Sequence, residues 1–301
     1  MLRPQPFRPR ALPLTVWLAA WSAASLLGPG TGRAEAAESI GAGGAPADET
    51  LPPGVDASKL DDFGRKVFFR VVNHEASVCG KGQSLLYSAK RDPSCRASLY
   101  ALRYVVRLVD SGFTDSEIGE KLAKRFRSER YPHIDVAAAP SKGSSSGRVT
   151  VVEFVDYECP HCKHAQALMH QLIAEYPTDV RLYFKHFPLS SHSNARAAAQ
   201  AAVAAHKQGK FWIYNDKIWA NSENLTPAIL EKAAREAGLD VARWRADRDS
   251  DASQARVQAD RDEGIELGIN ATPSIYINGR KYDDPLDIES LKDWVDEELG
   301  R

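Results

Sequence analysis

The sequence predicts an α/β domain in the second half of the chain, preceded by a small all-α domain. Residues 149–155 are rich in β-branched and aromatic side chains, which is typical of a strand buried on both faces, and a helix pattern follows at once. Residues 56–136 carry amphipathic helix patterns instead. Two stretches of small and polar residues, 37–55 and 137–147, are predicted as linkers that bound the all-α domain.

Residues 1–36 have the pattern of a secretory signal peptide. Arginines precede an apolar run at 11–27, and Ala34-Glu35-Ala36 supplies the small residues of a cleavage site. We expect cleavage near Ala36, with an uncleaved membrane anchor as the alternative. Export predicts a periplasmic location, where cysteines can form disulfides. The formal net charge of −1, with both signs interspersed, gives no indication of nucleic-acid binding.

Three helices are predicted in the all-α domain at 56–136. Leu60, Phe63 and Val67 are expected on the buried face of the first one. A domain of about 80 residues buries only a marginal core, so a disulfide between Cys79 and Cys95 would stabilise it. A structural disulfide is therefore predicted for this pair, and a second redox pair that exchanges electrons with the cysteines of the α/β domain is the alternative.

Cys159 and Cys162 form a CxxC pair at the start of the helix that follows the predicted strand. Pro160 fits the first helical position, so the Cys159 thiol lies at the positive end of the helix dipole. That position favours the thiolate, which is the attacking and leaving species in thiol–disulfide exchange. His161 is expected to add positive charge or a hydrogen bond to the Cys159 sulfur, and Cys162 is expected to be more buried. A zinc half-site and a purely structural disulfide are the alternatives.

The segment 153–163, EFVDYECPHCK, resembles the active-site segment of the DsbA-type disulfide oxidoreductases of the thioredoxin superfamily. Residues 268–279 resemble that family's cis-proline loop with the strand after it, and 185–219 resemble its helical insertion. The resemblance implies a thioredoxin-like fold at 148–301, with a helical subdomain inserted at about 191–268.

Three residues receive roles beside the CxxC pair. The resemblance implies that Pro273 is cis and faces the cysteines, with the backbone of Thr272 pairing with the substrate chain; an ordinary edge proline is the alternative. Glu153 lies in an apolar strand, where burial would raise its pKa and suit it to exchange a proton with the Cys162 thiol. The alternative is an edge-exposed glutamate. Lys185 is considered as a neighbour that tunes Glu153.

Residues 103–126 have a faint resemblance to the helical domain of CcmH-type proteins. That family carries its own CxxC, whereas here Cys79 is followed by Gly80-Lys81-Gly82 and the next cysteine is Cys95. Only the three-helix shape is therefore expected from this resemblance.

Together these features predict a periplasmic thiol:disulfide oxidoreductase that donates its Cys159–Cys162 disulfide to exported, cysteine-containing proteins. The resemblance implies reoxidation by a membrane partner of the DsbB or VKOR type, and neither a cofactor nor a metal is expected. The alternative is a disulfide isomerase or reductase kept reduced by a membrane electron donor. A copper-binding module that uses Cys159, Cys162 and His161 is a further alternative, since soft thiolates suit Cu(I).

Overall fold

The computed structural model describes residues 48–126 and 131–300, and both ranges belong to one compact unit that begins at Pro46. The predicted signal peptide at 1–36 and most of the first predicted linker lie outside the described residues. Residues 48–55 are the described part of this predicted linker. They do not form a free linker, because Pro52 and Val55 are buried against the helical region.

A five-stranded mixed sheet forms the centre of the α/β part, in the order β1-β3-β2-β4-β5. Its strands are β1 (Ser141–Gly143), β2 (Val149–Val155), β3 (Val180–His186), β4 (Ser274–Ile277) and β5 (Arg280–Lys281). The central strand β2 pairs parallel with β3 and antiparallel with β4. Helices cover one of its faces, and a helix between β3 and β4 together with neighbouring loops covers the other. This position explains its apolar composition.

The prediction of a linker over 137–147 is wrong in part. Ser141–Gly143 forms β1, which pairs antiparallel with β3 at the edge of the sheet. Composition gave no signal for this strand, because its hydrogen bonds come from the backbone and its side chains are small, polar or exposed. An edge strand of three residues needs no apolar pattern of its own.

Eleven helices accompany the sheet in the described part of the chain. The helical region at 56–126 contains α1 (Asp62–His74), α2 (Leu85–Arg91), α3 (Ala97–Asp110) and α4 (Asp115–Phe126). The α/β part contains α5 (Pro160–Glu175), α6 (Ala195–His206), α7 (Phe211–Trp219), α8 (Pro227–Glu236), α9 (Val241–Arg248), α10 (Asp251–Glu266) and α11 (Ile288–Leu299). Helices α6–α10 lie between β3 and β4, so the thioredoxin-like fold with an inserted helical subdomain is confirmed.

The helical region differs from its prediction in two respects. It has four helices rather than three, since the seven-residue α2 is too short to show a helical period. Phe63 is 74% exposed, although it was expected on the buried face. The reason is that α1 begins at Asp62, with Asp61 as its N-cap, so Leu60 lies outside the helix and does not set its register.

Ion pairs join the helical region to the α/β part. The Arg125 guanidinium lies 2.9 Å from the carboxylate of Asp284, and both side chains are fully buried. Arg125 also stacks on Trp294 of α11, at 4.1 Å from the ring centroid. Removing one partner of a buried ion pair leaves an uncompensated charge, which costs about 3–5 kcal/mol. The helical region is therefore firmly attached to the α/β part at α11 and the loop before it.

Candidate active site

The turn between β2 and α5 places both cysteines of the CxxC pair below the surface. Cys159 is the N-cap residue of α5, and Pro160 follows at the first helical position, as the sequence predicts. The N–H of Cys159 donates to the carbonyl oxygen of Asp156 at 3.1 Å, which closes the turn. Cys159 is 5% exposed and Cys162 is fully buried, and both are free thiols.

The two thiols differ strongly in acidity. A hydrogen bond from the Cys162 thiol, together with the backbone N–H groups of Cys162 and His161, lowers the pKa of Cys159 to about 5. Burial raises the pKa of Cys162, and the hydrogen bond that it gives to Cys159 raises it further. At neutral pH the pair therefore consists of a Cys159 thiolate and a Cys162 thiol.

His161 contributes to this acidity through its backbone N–H. Its side chain lines a shallow groove of about 260 Å³ beside the cysteines, whose other lining residues are Thr272, Pro273, Ile275, Tyr282, Asp284 and Leu286. His161 therefore lies at the edge of this groove.

The loop before β4 faces Cys159. The peptide bond between Thr272 and Pro273 is cis, and the carbonyl oxygen of Thr272 lies 3.2 Å from the Cys159 Sγ. The cis geometry expected for Pro273 is therefore present, and the loop brings a backbone carbonyl to the reactive sulfur.

Glu153 lies in the middle of β2 and is fully buried, which removes the alternative of an edge-exposed glutamate. Among the described residues neither carboxylate oxygen has a hydrogen-bond partner. Burial raises the pKa of Glu153 to about 8, and the negative charge of Glu153 in turn raises the pKa of Cys162. At neutral pH Glu153 is thus a buried carboxylic acid that interacts electrostatically with the Cys162 thiol.

The suggested pairing of Lys185 with Glu153 is wrong. In the parallel ladder Glu153 is the partner of Phe184, while Lys185 is the partner of Phe154 and faces the other side of the sheet. There the Lys185 ammonium group lies 3.2 Å from the carboxylate of Asp260 in α10. Since side chains alternate between the two faces, a shift of one residue decides which carboxylate the lysine meets.

Two carboxylates of the turn were missed by the sequence reasoning. Asp156 accepts hydrogen bonds from the N–H of Glu158 and of Leu189, both at 2.7 Å, and lies 2.9 Å from the His192 ring. Glu158 accepts the N–H of Asn194 at 2.7 Å. Both tie the turn before Cys159 to the loop between β3 and α6. Acidic residues directly after a buried strand were the available signal.

The predicted disulfide between Cys79 and Cys95 is present, with the two Cα atoms 6.0 Å apart. It joins the loop before α2 to the residues before α3. Cys95 is buried beside the hydroxyl groups of Ser77 and Ser98. The bond therefore closes the helical region around α2.

Fold and site together define a dithiol protein of the thioredoxin type. A family model described as thioredoxin matches residues 137–297, which is slightly more than half of the chain. The chain belongs to this thioredoxin family. The resemblance to DsbA-type oxidoreductases is confirmed at the level of family and fold.

Solved structures agree with this assignment. A thioredoxin-like oxidoreductase from Silicibacter pomeroyi is 31% identical, with a TM-score of 0.51, and covers 55% of this chain and 94% of its own. BdbD from Bacillus subtilis is 25% identical, also with a TM-score of 0.51, over 57% of this chain and 98% of its own. The shared region is thus the size of the α/β part alone.

Curated relatives carry a similar segment inside much longer proteins. The Na(+)/H(+) antiporter NhaA 3 of Salinispora tropica is 36% identical over 151 residues, which are 50% of this chain and 23% of the antiporter. The antiporter NhaA of Herminiimonas arsenicoxydans is 34% identical over 160 residues, 53% of this chain and 25% of its own. The chain thus spans about a quarter of the length of these relatives. No helix within residues 48–126 or 131–300 is long and apolar enough to cross a membrane.

Proposed function

We propose that the protein is a thiol:disulfide oxidoreductase that donates its Cys159–Cys162 disulfide to polypeptide substrates. The observation that carries this proposal is the contrast in acidity within the pair. With a pKa of about 5, Cys159 is a thiolate at neutral pH, and a stabilised thiolate favours the reduced form of the pair. The disulfide form is then a good oxidant, because its reduction yields a stabilised product.

In the first step a substrate thiolate attacks the Sγ of Cys159 in the oxidised protein. A bond forms between the substrate sulfur and Cys159, the Cys159–Cys162 bond breaks, and Cys162 leaves as a thiolate. Burial makes that thiolate unfavourable, so it needs a proton at once. Glu153 is buried and protonated up to a pH of about 8, and its role is to supply that proton to Cys162.

In the second step another substrate thiolate attacks the substrate sulfur of the mixed disulfide. Cys159 leaves as a thiolate, which its low pKa favours. The substrate thereby loses two electrons to the cysteine pair, which ends as a dithiol. Thr272 and Pro273 hold the substrate chain beside Cys159 during both steps, and the position of the Thr272 carbonyl close to the sulfur supports this role.

The substrates and the setting are also part of the proposal. The predicted signal peptide and the Cys79–Cys95 disulfide favour an exported protein in an oxidising compartment such as the periplasm. The substrates are then exported proteins with reduced cysteines. Each turnover leaves the pair reduced, so a membrane oxidant of the DsbB or VKOR type is needed to regenerate the disulfide.

Single-turnover transfer tests the proposal. The oxidised protein is mixed with a reduced peptide that contains two cysteines, and both thiol pools are trapped by acid and alkylation. We expect one peptide disulfide to form for each Cys159–Cys162 disulfide lost. In a separate reaction, Cys162→Ser protein and an oxidised peptide should accumulate a mixed disulfide at Cys159, because the resolving thiol is absent. A stable Cys159–Cys162 disulfide that transfers nothing to the peptide would rule the function out.

A further inference from the structure

A second cavity of the described residues lies outside the redox site. It is a cleft of about 770 Å³ between the helical region and the residues around the start of α11. Lys59, Val106 and Ser111 line one wall, and Pro285 and Ile288 line the other. The proposed disulfide transfer does not use this cleft, although the helical region is attached in a way that holds it open.

Ion pairs fix the two walls relative to each other. Arg103 and Arg107 of α3 lie 2.7 and 2.6 Å from the carboxylate of Asp293 in α11. Arg107 also lies 2.8 Å from Asp284, which receives the buried Arg125 as well. The cleft is therefore preorganised, which lowers the entropy cost of binding a chain within it.

The cleft is separated from the redox groove by a single loop. Asp284 and Leu286 line the groove beside Pro273, whereas Pro285 and Asp287 line the cleft. The same loop contacts the cysteine-bearing helix, because the His164 ring lies 3.3 Å from the carbonyl oxygen of Leu286. A chain bound at Cys159 that continues across this loop enters the cleft.

The cleft adjoins a depression of about 350 Å³. Lys59 and Asp110 line both cavities, and the depression adds Phe63 and Phe113. Phe63 is 74% exposed and offers its apolar ring to solvent there. Groove, cleft and depression together form a track that suits an extended polypeptide better than a small molecule.

Among the described residues, the cleft charges that form no ion pair are mainly negative. Asp56, Asp110 and Asp287 line the cleft against Lys59, while Glu289 lies 3.4 Å from the Lys292 ammonium group. The positive charges of Arg103 and Arg107 are already engaged by Asp293 and Asp284. A chain with basic side chains complements such a surface.

We propose that this cleft is a second binding site for the substrate, and that it takes an extended, basic segment of the same reduced polypeptide whose cysteine reacts at Cys159. The inference rests on the proposed disulfide transfer. It gives the helical region a function, since that region supplies one wall of the site. It also predicts a preference for unfolded chains over small thiols, because only a chain can span from the redox groove to the cleft.

The test uses the full-length oxidised protein and three reduced substrates in single turnover. The first is an 18-residue peptide (our choice of length, about 60 Å when extended) with two central cysteines and lysines towards both ends. The second carries glutamates in place of the lysines, and the third is dithiothreitol. The measured quantity is the second-order rate constant for each peptide divided by that for dithiothreitol. We expect this ratio to be about tenfold higher for the lysine peptide than for the glutamate peptide.

Two substitutions in the cleft have matched controls in α4. Asp110→Lys reverses a charge on the cleft, and Glu120→Lys makes the same change at an exposed position that does not line it. Ser111→Trp fills the cleft, and Ser116→Trp places the same bulk on the outer surface. We expect either cleft variant to lower the rate constant for the lysine peptide, divided by that for dithiothreitol, at least fivefold. With either control variant the ratio should stay within twofold of wild type.

The outcomes separate the two proposals. If dithiothreitol is not oxidised by the wild-type disulfide, the proposed function fails and the inference falls with it. If dithiothreitol is oxidised but the lysine and glutamate peptides react equally and the cleft variants match their controls, the inference alone is overturned. The inference is equally overturned if Ser111→Trp leaves the rate ratio of the lysine peptide unchanged but alters the oligomeric state of the protein in solution. The cleft would then bind a second copy of the chain.

Discussion

The molecule contains two cysteine pairs in very different settings. Cys159 and Cys162 are three residues apart in sequence, at the N-terminus of α5, and a buried carboxylic acid lies nearby. Cys79 and Cys95 are 16 residues apart and join two loops of a small helical region. The first pair stabilises a thiolate in its reduced form. In the second pair Cys95 is buried beside serine hydroxyl groups, and Cys79 is exposed. The difference teaches that backbone placement, more than the cysteines themselves, separates a reactive pair from a structural one.

The largest expected effect comes from Cys159→Ser. It should lower the rate of disulfide transfer to a reduced peptide by more than about a thousandfold, since the attacked sulfur is gone. The midpoint of urea unfolding should stay close to that of the reduced wild type, because serine fits the space of the thiol. Alkylation of the peptide after acid quench measures the rate. Residual transfer above about one tenth of the wild-type rate would show that Cys79–Cys95 donates disulfides as well.

Removing the Cys79–Cys95 disulfide should lower the stability of the protein but leave disulfide transfer intact. The double substitution Cys79→Ser and Cys95→Ser opens a loop of 16 residues, and we expect it to lower the free energy of unfolding by about 3 kcal/mol. Urea unfolding followed by circular dichroism measures this change. Transfer from Cys159–Cys162 should remain within about twofold of wild type. A large loss of transfer in a folded double variant would instead identify Cys79–Cys95 as a redox relay.

Glu153→Gln should slow the reduction of the Cys159–Cys162 disulfide by a substrate thiol. Glutamine fills the same space but carries no exchangeable acid proton, so breakdown of the Cys159–Cys162 disulfide should slow by about a hundredfold. Single-turnover rates between pH 5 and 9 measure this. Wild-type rates should decline as Glu153 loses its proton near pH 8, whereas the variant should show no such decline. The same pH profile in both proteins would remove Glu153 from the proton transfer.

Glu153 should also make the free energy of unfolding depend on pH. Burial raises the pKa of Glu153 from 4.5 to about 8 in the folded protein, so the unfolded chain releases a proton that the folded protein keeps. This contribution is fully present below pH 4.5 and is lost progressively as the pH rises to about 8. The free energy of unfolding of the reduced wild type should therefore fall over this window more steeply than that of Glu153→Gln. Urea unfolding at pH 5 and pH 8 compares the two slopes, and equal slopes would contradict the buried, protonated state.

The reactive pair was predictable from sequence because its determinants are local. β2, the turn, Pro160 and the CxxC pair occupy one continuous segment, and each residue type favours the same geometry there. The burial of Glu153 followed from the same segment, since its apolar neighbours indicate a covered strand. The cis-proline loop was found only through the family resemblance, because it lies 113 residues from Cys159 along the chain.

Long-range partners could not be predicted in this way. The ion pair of Arg125 with Asp284 spans 159 residues. The sequence around one of these residues does not identify the other as its partner. Lys185 was assigned to the wrong carboxylate because the register of two strands is not visible in one of them. Phe63 followed the expected spacing, yet the N-cap at Asp61 shifted the helix and left it exposed. The Arg125–Asp284 pair attaches the helical region to the α/β part, and Phe63 lines the depression beside the cleft, so neither feature follows from a local pattern.

The equilibrium redox potential of Cys159–Cys162 tests the central claim most directly. The protein is equilibrated with glutathione buffers, quenched with acid and alkylated, and the reduced fraction of the pair is followed separately from that of Cys79–Cys95. A stabilised Cys159 thiolate predicts a potential above about −180 mV, where each 30 mV corresponds to about 1.4 kcal/mol in favour of the dithiol. The pair is then a donor of disulfides. A potential below about −230 mV, in the range of reducing thioredoxin-like proteins, would contradict the account and make the chain an electron donor instead.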